Sequence, residues 1–271
     1  MEIPLDKIYI LCKNTIHNQT LEGRLMKFSA NSHIEYDINI IMSAIRAVEK
    51  AITEDIPREQ KERHLETNNY IAFIRGDYIN QNLKDFALVE GGELLAFKRY
   101  GWKGRLLIDR ENKLSYSITS QSNLQQIPRK HRTRPHFLQT LLNKENGDLE
   151  GRYQQMAMYD MDQFDSDTYD YDFEDIVGGA FDPSEGYRHC VIAYQSVRDE
   201  LIDIKLVLLD GMFNIVEEHS LNHLRKPDFS QLTYSTPAQD TAVQEHNRAT
   251  RGLTSLKPGI KPGLWEEEEE A

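Results

Sequence analysis

The segment IPRKHRTRPHF places Arg129, Lys130, Arg132 and Arg134 within six residues, with His131 and His136 alongside. Clustered cations with fork-shaped donors suit phosphate oxygens, and arginine supplies both the charge and the fork. A second run, Lys98, Arg99, Tyr100, Trp102, Lys103 and Arg105, interleaves aromatic rings with bases. Such rings stack on unpaired bases while neighbouring cations track the backbone. The expected ligand-binding set is therefore Lys98, Arg99, Trp102, Lys103, Arg105, Arg129, Lys130, Arg132 and Arg134. The expected partner is nucleic acid or an acidic protein. An ordinary solvated surface, or an internal dock for the chain's own acids, would give the same composition.

For catalysis, His131 and His136 are the candidates. Set among arginines, they would serve a metal-independent, ribonuclease-like toxin, because imidazole exchanges protons near neutral pH. Asp109, Glu111 and Lys113 contain the E-x-K spacing of a nuclease carboxylate–lysine pattern. Metal-dependent cleavage needs carboxylates converging from separate strands, and these three fall in the polar turn DRENK, where Asp and Asn are expected anyway. There is no phosphate-binding glycine loop and no G-x-S-x-G elbow. His219 and His223 are four apart, but in a stretch read as strand and loop, so no metal or cofactor is expected. These residues do not decide between an enzyme and a binding protein.

The acidic counterpart is a five-residue repeat, YDMDQ, FDSDT, YDYDF, which carries Asp160, Asp162, Asp165, Asp167, Asp170 and Asp172. A calcium loop would want a glycine at its sixth position and a terminal glutamate, and neither is present. The remaining readings are a phosphate-backbone mimic that covers a basic surface, the chain's own or a partner's, and a solvated, mobile linker. At the C-terminus, GLWEEEEEA offers Trp265 as a partner-binding anchor beside five acids. Docked on a second protein or a second copy, it would make the chain a structural component of an oligomeric assembly. The oligomeric state itself is not legible.

Charge segregation frames all of this. The chain has 271 residues and a formal net charge of −12, with 39% hydrophobic residues. Residues 98–136 carry ten bases against two acids, whereas residues 145–185 carry thirteen acids against one base. The total argues against nucleic acid, but the distribution admits it. No run approaches the ~18 apolar residues of a membrane span, and MEIPLDKIYILCKN lacks a basic region leading into a long apolar one. With only Cys12 and Cys190, no disulfide framework is expected. These features predict a cytoplasmic protein without membrane association.

The elements that would position these residues follow from periodicity. Ile38, Ile41, Ile45, Val48 and Ile52 recur at three and four residues, which predicts a helix over 38–55 ended by Pro57. A second helix is predicted over 58–75, broken by Gly76, with a short helical piece from Asp77 to Phe86. GGELLAFKRYGW, GRLLID and KLSYSIT predict two or three antiparallel strands. A helix through HFLQTLLNKE would begin at Pro135. HCVIAYQSV, LIDIKLVLLD and FNIVEEHSL predict a three-stranded antiparallel meander. The fold class is α+β: N-terminal helices, a central β-hairpin plus helix, and the C-terminal meander packed beside them. One domain over 1–226 is expected, with an acidic low-complexity insertion at about 150–186 and a flexible tail over 227–271.

LLAFKRYGWKGRLLID, IPRKHRTRPHFLQTLL and HCVIAYQSVRDELIDIKLVLLDGMFNIVEEHSL, in that order, resemble an uncharacterised family of Gram-positive bacterial and mobile-element proteins, over roughly residues 35–225. The resemblance implies no activity and no catalytic residues. It implies a bacterial cytoplasmic setting and an accessory role of the toxin–antitoxin or phage-defence kind.

Overall fold

The computed structural model describes residues 25–27, 32, 34–86, 92–151 and 161–225. The chain divides into two units, Met1–Arg225 and Lys226–Ala271, and all described residues belong to the first. The acidic tail, Trp265 and Asp160 lie outside the described residues.

A short antiparallel pair, β1 (Leu25–Lys27) and β2 (Glu35–Asp37), leads into α1 (Ile38–Lys50). The Asp37 side chain caps α1 by accepting from the Asn39 N–H at 2.8 Å. Ile40, Ile41, Ile45 and Val48 are buried, as their spacing requires. Pro57 does not stop the chain from spiralling. A π-helical turn (Ala51–Asp55) joins α1 to α2 (Ile56–Arg63), and Pro57 sits in the first turn of α2, where a missing N–H costs little.

The break falls later than expected, at residues 64–70, where His64 adopts a left-handed conformation. Helix α3 (Ile71–Phe86) then runs straight through Gly76. A glycine costs an exposed helix only ~1 kcal/mol. Burial of Ile79 and Leu83 in the cluster built on α1 outweighs that. Asn82 ties the helices together: it donates to Asp55 at 2.8 Å and accepts from Lys50 at 2.9 Å.

Six strands follow: β3 (Gly92–Arg99), β4 (Trp102–Asp109), β5 (Leu114–Ser120), β6 (Arg188–Val197), β7 (Glu200–Leu209) and β8 (Ile215–Ser220). They form one sheet in sequence order, antiparallel throughout except for the parallel pair β5–β6. The central hairpin and the C-terminal meander are therefore two meanders of a single sheet, not separate layers side by side. A parallel step needs a long crossover. Here it carries α4 (Gln121–Gln126), α5 (Phe137–Asn146) and α6 (Ser166–Val177).

Alternation along the strands sorts the core into two faces. Leu107, Leu114, Tyr116, Cys190, Ile192, Leu206 and Leu208 pack with α1 and α3. Leu106, Ile108, Val191, Ala193, Val207 and Leu209 face the other way, towards α5 and α6. With both faces covered, the sheet is the middle of three layers.

Helix α6 corrects the reading of the acidic repeat as a mobile linker. Its Tyr169, Phe173, Ile176 and Val177 are buried, and Asp165 caps it by accepting from the Thr168 N–H at 2.7 Å. The interposed aspartates hid this three-and-four spacing. Among the described residues, no helix is long and apolar enough to cross a membrane.

Candidate functional site

The β3–β4 hairpin turns through Tyr100 and Gly101, both at positive φ (47° and 85°), the geometry of a two-residue turn that matches strand twist. This turn sets the register: Lys98 pairs with Lys103, Arg99 with Trp102, and Ala96 with Arg105. Paired residues share a face, so the cations expected to form one patch are split between the two sides of the sheet.

On the α3 side stand Lys98, Lys103 and Arg105. They line a groove of about 370 Å³ together with Asp77, Asn80 and Gln81 of α3. The three α3 residues are spaced i, i+3, i+4 and so share a face. Among the described residues, none of the three cations forms an ion pair or a hydrogen bond.

On the α5 side, Arg99 is built into the fold. Its guanidinium donates to the Asp172 carboxylate and to the Pro135 carbonyl oxygen, and Asp172 also accepts from the Thr140 hydroxyl. Asp172 is 2% exposed and Arg99 11%. A charge pair so dry persists only because each member satisfies the other. Trp102 packs on Phe137 with ring centroids 5.1 Å apart and on Phe97 at 5.5 Å, yet remains half exposed. Arg134 lies over the exposed Tyr100 ring, 4.4 Å from its centroid. An added Cβ at Gly104 would come within 2.5 Å of the Phe97 ring and 2.8 Å of the Trp102 ring, so glycine leaves room for both rings against the strand.

The loop between α4 and α5 holds the remaining bases. Arg129, Lys130 and Arg134 are exposed. Arg132 folds inward and donates to the Ile127 carbonyl at 2.7 Å, while its backbone N–H donates to Asp162. Asp162 also meets His131 Nδ1 at 3.0 Å, and this partner, followed by the Arg132 N–H, holds its carboxyl below the ordinary range. Two aspartates of the acidic repeat therefore contact the basic segment: Asp172 in the interior and Asp162 at the surface.

His136 is the N-cap of α5. Its Nδ1 accepts from the Leu138 N–H at 3.2 Å, and the Gln139 side chain returns the contact to the His136 N–H. Burial, then the cations Arg132, Arg99 and Lys130, bring its pKa down to about 3. An imidazole so committed takes up no proton near neutral pH, while His131 is exposed and paired with Asp162. Asp109 accepts from the Asn112 N–H at 3.0 Å and from the Asn112 amide at 2.7 Å, as a turn residue does. Among the described residues, no group of three His, Cys, Asp or Glu side chains is placed to hold a metal ion. His219 and His223 meet only ring to ring, at 5.8 Å.

One polar cluster escaped the sequence reading. His189, fully buried, lies between Ser115 (Nδ1 to Oγ, 2.6 Å) and Ser117 (Nε2 to Oγ, 2.9 Å). Ser115 Oγ contacts Glu145 Oε2 at 2.7 Å. Burial raises the Glu145 pKa to about 8 and lowers that of His189 to about 3. Asn146 straps the neighbouring strands, donating to the His189 and Leu209 carbonyls at 2.8 and 2.7 Å. In sequence, Ser115 and Ser117 alternate with Leu114, Tyr116 and Ile118 and read as a solvent face. Only the covering helix α5 makes that face interior.

No curated protein and no solved structure matches this chain. A family model does, and its match runs from residue 33 to residue 271, across the whole sheet, the cationic hairpin and the acidic tail. The resemblance implies an uncharacterised family, and the match continues beyond residue 225: the chain belongs to the family of unknown function DUF5986.

Proposed function

We propose that this chain is a binding and regulatory protein whose cationic hairpin and the adjoining loop engage a nucleic-acid strand. The observation that carries the reading is the Lys98–Lys103 pair. Like charges directly opposite in an antiparallel ladder destabilise it. Here they are joined by Arg105 on the same face, and among the described residues no acid forms an ion pair with them, Asp77 standing across the groove on α3. A groove with three cations against one carboxylate keeps a net positive charge, which suits an anionic ligand that supplies the counter-charge on binding. Exposed Tyr100 and half-exposed Trp102 at the hairpin tip add ring faces for unpaired bases.

Regulation enters through Asp162. Asp172 is buried and belongs to the fold, whereas Asp162 holds His131 and the Arg132 backbone at the surface, where a phosphate oxygen would compete for the same donors. A cytoplasmic setting accords with Cys190, which is free and buried. The test is fluorescence anisotropy with labelled single-stranded and duplex oligonucleotides. Binding of the single strand, strengthened severalfold by Asp162→Ala, supports the reading. An unchanged affinity in that variant removes the competition, and failure of every oligonucleotide to bind removes the strand.

A further inference from the structure

We infer that the groove between α3 and the β3–β4 hairpin is a nucleotide site: it takes one phosphate on the strand wall and the edge of one base on the helix wall. The inference deepens the strand-binding reading and rests on it.

The two walls differ in chemistry. The strand wall carries Lys98, Lys103 and Arg105, all positive, converging because the register puts 98 opposite 103 and alternation puts 103 and 105 on one face. Ala96, opposite Arg105, is small and leaves the floor open between them. The helix wall carries Asn80, with an unused amide among the described residues, and the carboxylate of Asp77 one turn earlier. Gln81 is turned along the helix and donates to Asp85 at 3.2 Å, so Asn80 is the better placed reader.

A bare polyanion needs the strand wall alone, and Asp77 would repel it. An acidic peptide meets the same repulsion. A nucleotide uses both walls, because its phosphate is anionic and its base edge carries N–H donors and ring acceptors for a carboxylate and an amide. The volume of about 370 Å³ lies at the lower end of the range for small-ligand pockets, which fits one nucleotide and no more. The ligand is either a free nucleotide or one unit of a single strand, since in a duplex the Watson–Crick edge is taken up by pairing and no single nucleotide can enter the groove.

The test is titration of the full chain with a nucleoside monophosphate, with inorganic phosphate and with the unphosphorylated nucleoside, followed by ligand-observed NMR. The monophosphate is expected to bind at least about tenfold more tightly than either fragment. Asn80→Ala and Asp77→Ala should each collapse the preference for nucleotide over phosphate, and Lys98→Ala should weaken both. All three sites are at the surface, and thermal melts check that the variants fold. Nucleotide binding no tighter than phosphate, or a preference unmoved by Asn80→Ala, overturns the site. A labelled single strand separates the two sources and the two readings. If nucleotides displace it, the strand threads the groove. If nucleotides bind without displacing it, the site serves a free nucleotide. If the strand binds and nucleotides do not, the groove assignment fails while strand binding stands. If neither binds, both fall.

Discussion

Lys98 stands directly opposite Lys103 in the β3–β4 register, two like charges paired beside the hairpin turn and ion-paired to no acid among the described residues. Such a pair weakens the ladder that holds it. Replacement of Lys103 by Glu creates a cross-strand ion pair with Lys98 and is expected to stabilise the protein by about 0.5 kcal/mol. Urea denaturation would show the midpoint rising while affinity for a single strand falls. A midpoint that drops would mean that Lys103 already has a stabilising role in the free protein.

The two contacts made by the acidic repeat should separate cleanly. Asp172→Ala strands the Arg99 guanidinium beside Pro135 and the Thr140 hydroxyl without its counter-charge. Loss of one member of a buried pair typically costs about 3–5 kcal/mol. Asp162→Ala removes only an exposed contact with His131 and the Arg132 N–H, so its denaturation midpoint should stay close to wild type. Equal losses in the two variants would contradict the division of labour between them.

The buried network predicts a pH dependence of stability. Glu145 titrates near 8 in the folded chain against an ordinary 4.5, so the folded state holds its proton more tightly than the unfolded state. Its contribution is complete below about pH 4.5 and is lost as the pH rises through 8. His189 works in the opposite direction. With its pKa lowered from 6.5 to about 3, its contribution is present above about 6.5 and is lost as the pH falls through 3. Glu145→Gln keeps the shape and removes the titration. From pH 6.5 to 8, where the His189 contribution is already largely complete, the wild-type denaturation midpoint should fall by an amount equivalent to ~2 kcal/mol, while that of Glu145→Gln stays nearly flat. Parallel curves would show that Glu145 does not titrate in this range.

Some of this architecture is legible in the chain. The α1 stripe from Ile38 to Val48 carries a period of 3.6, and the meander from Arg188 to Ser220 shows as apolar, β-branched runs split by short turns. Other features depend on what lies across the fold. Helix α6 buries Tyr169, Phe173 and Ile176, but aspartates at 167, 170 and 172 made the segment look like low-complexity sequence, and only the partnership with Arg99 and Thr140 explains a buried Asp172. Gly76 reads as a break until Ile79 and Leu83 are seen against α1. The candidate cations were identifiable by type, but their division into two faces was not. That division depends on the Tyr100–Gly101 turn, and a turn one residue longer would have moved the whole of β4 to the opposite face. The same holds for His136. Its place among arginines suggests an acid–base pair with His131, while its position one residue before Phe137 makes it a helix cap.

The central claim is that Lys98 and Lys103 together neutralise one backbone phosphate. The most direct measurement is the salt dependence of single-strand affinity for wild type and for Lys98→Ala/Lys103→Ala. Each phosphate contact on a single strand contributes about 0.7 to the slope of log affinity against log salt, so loss of this contact should flatten the slope by about 0.7. A double variant that binds with the wild-type affinity and slope would contradict the account.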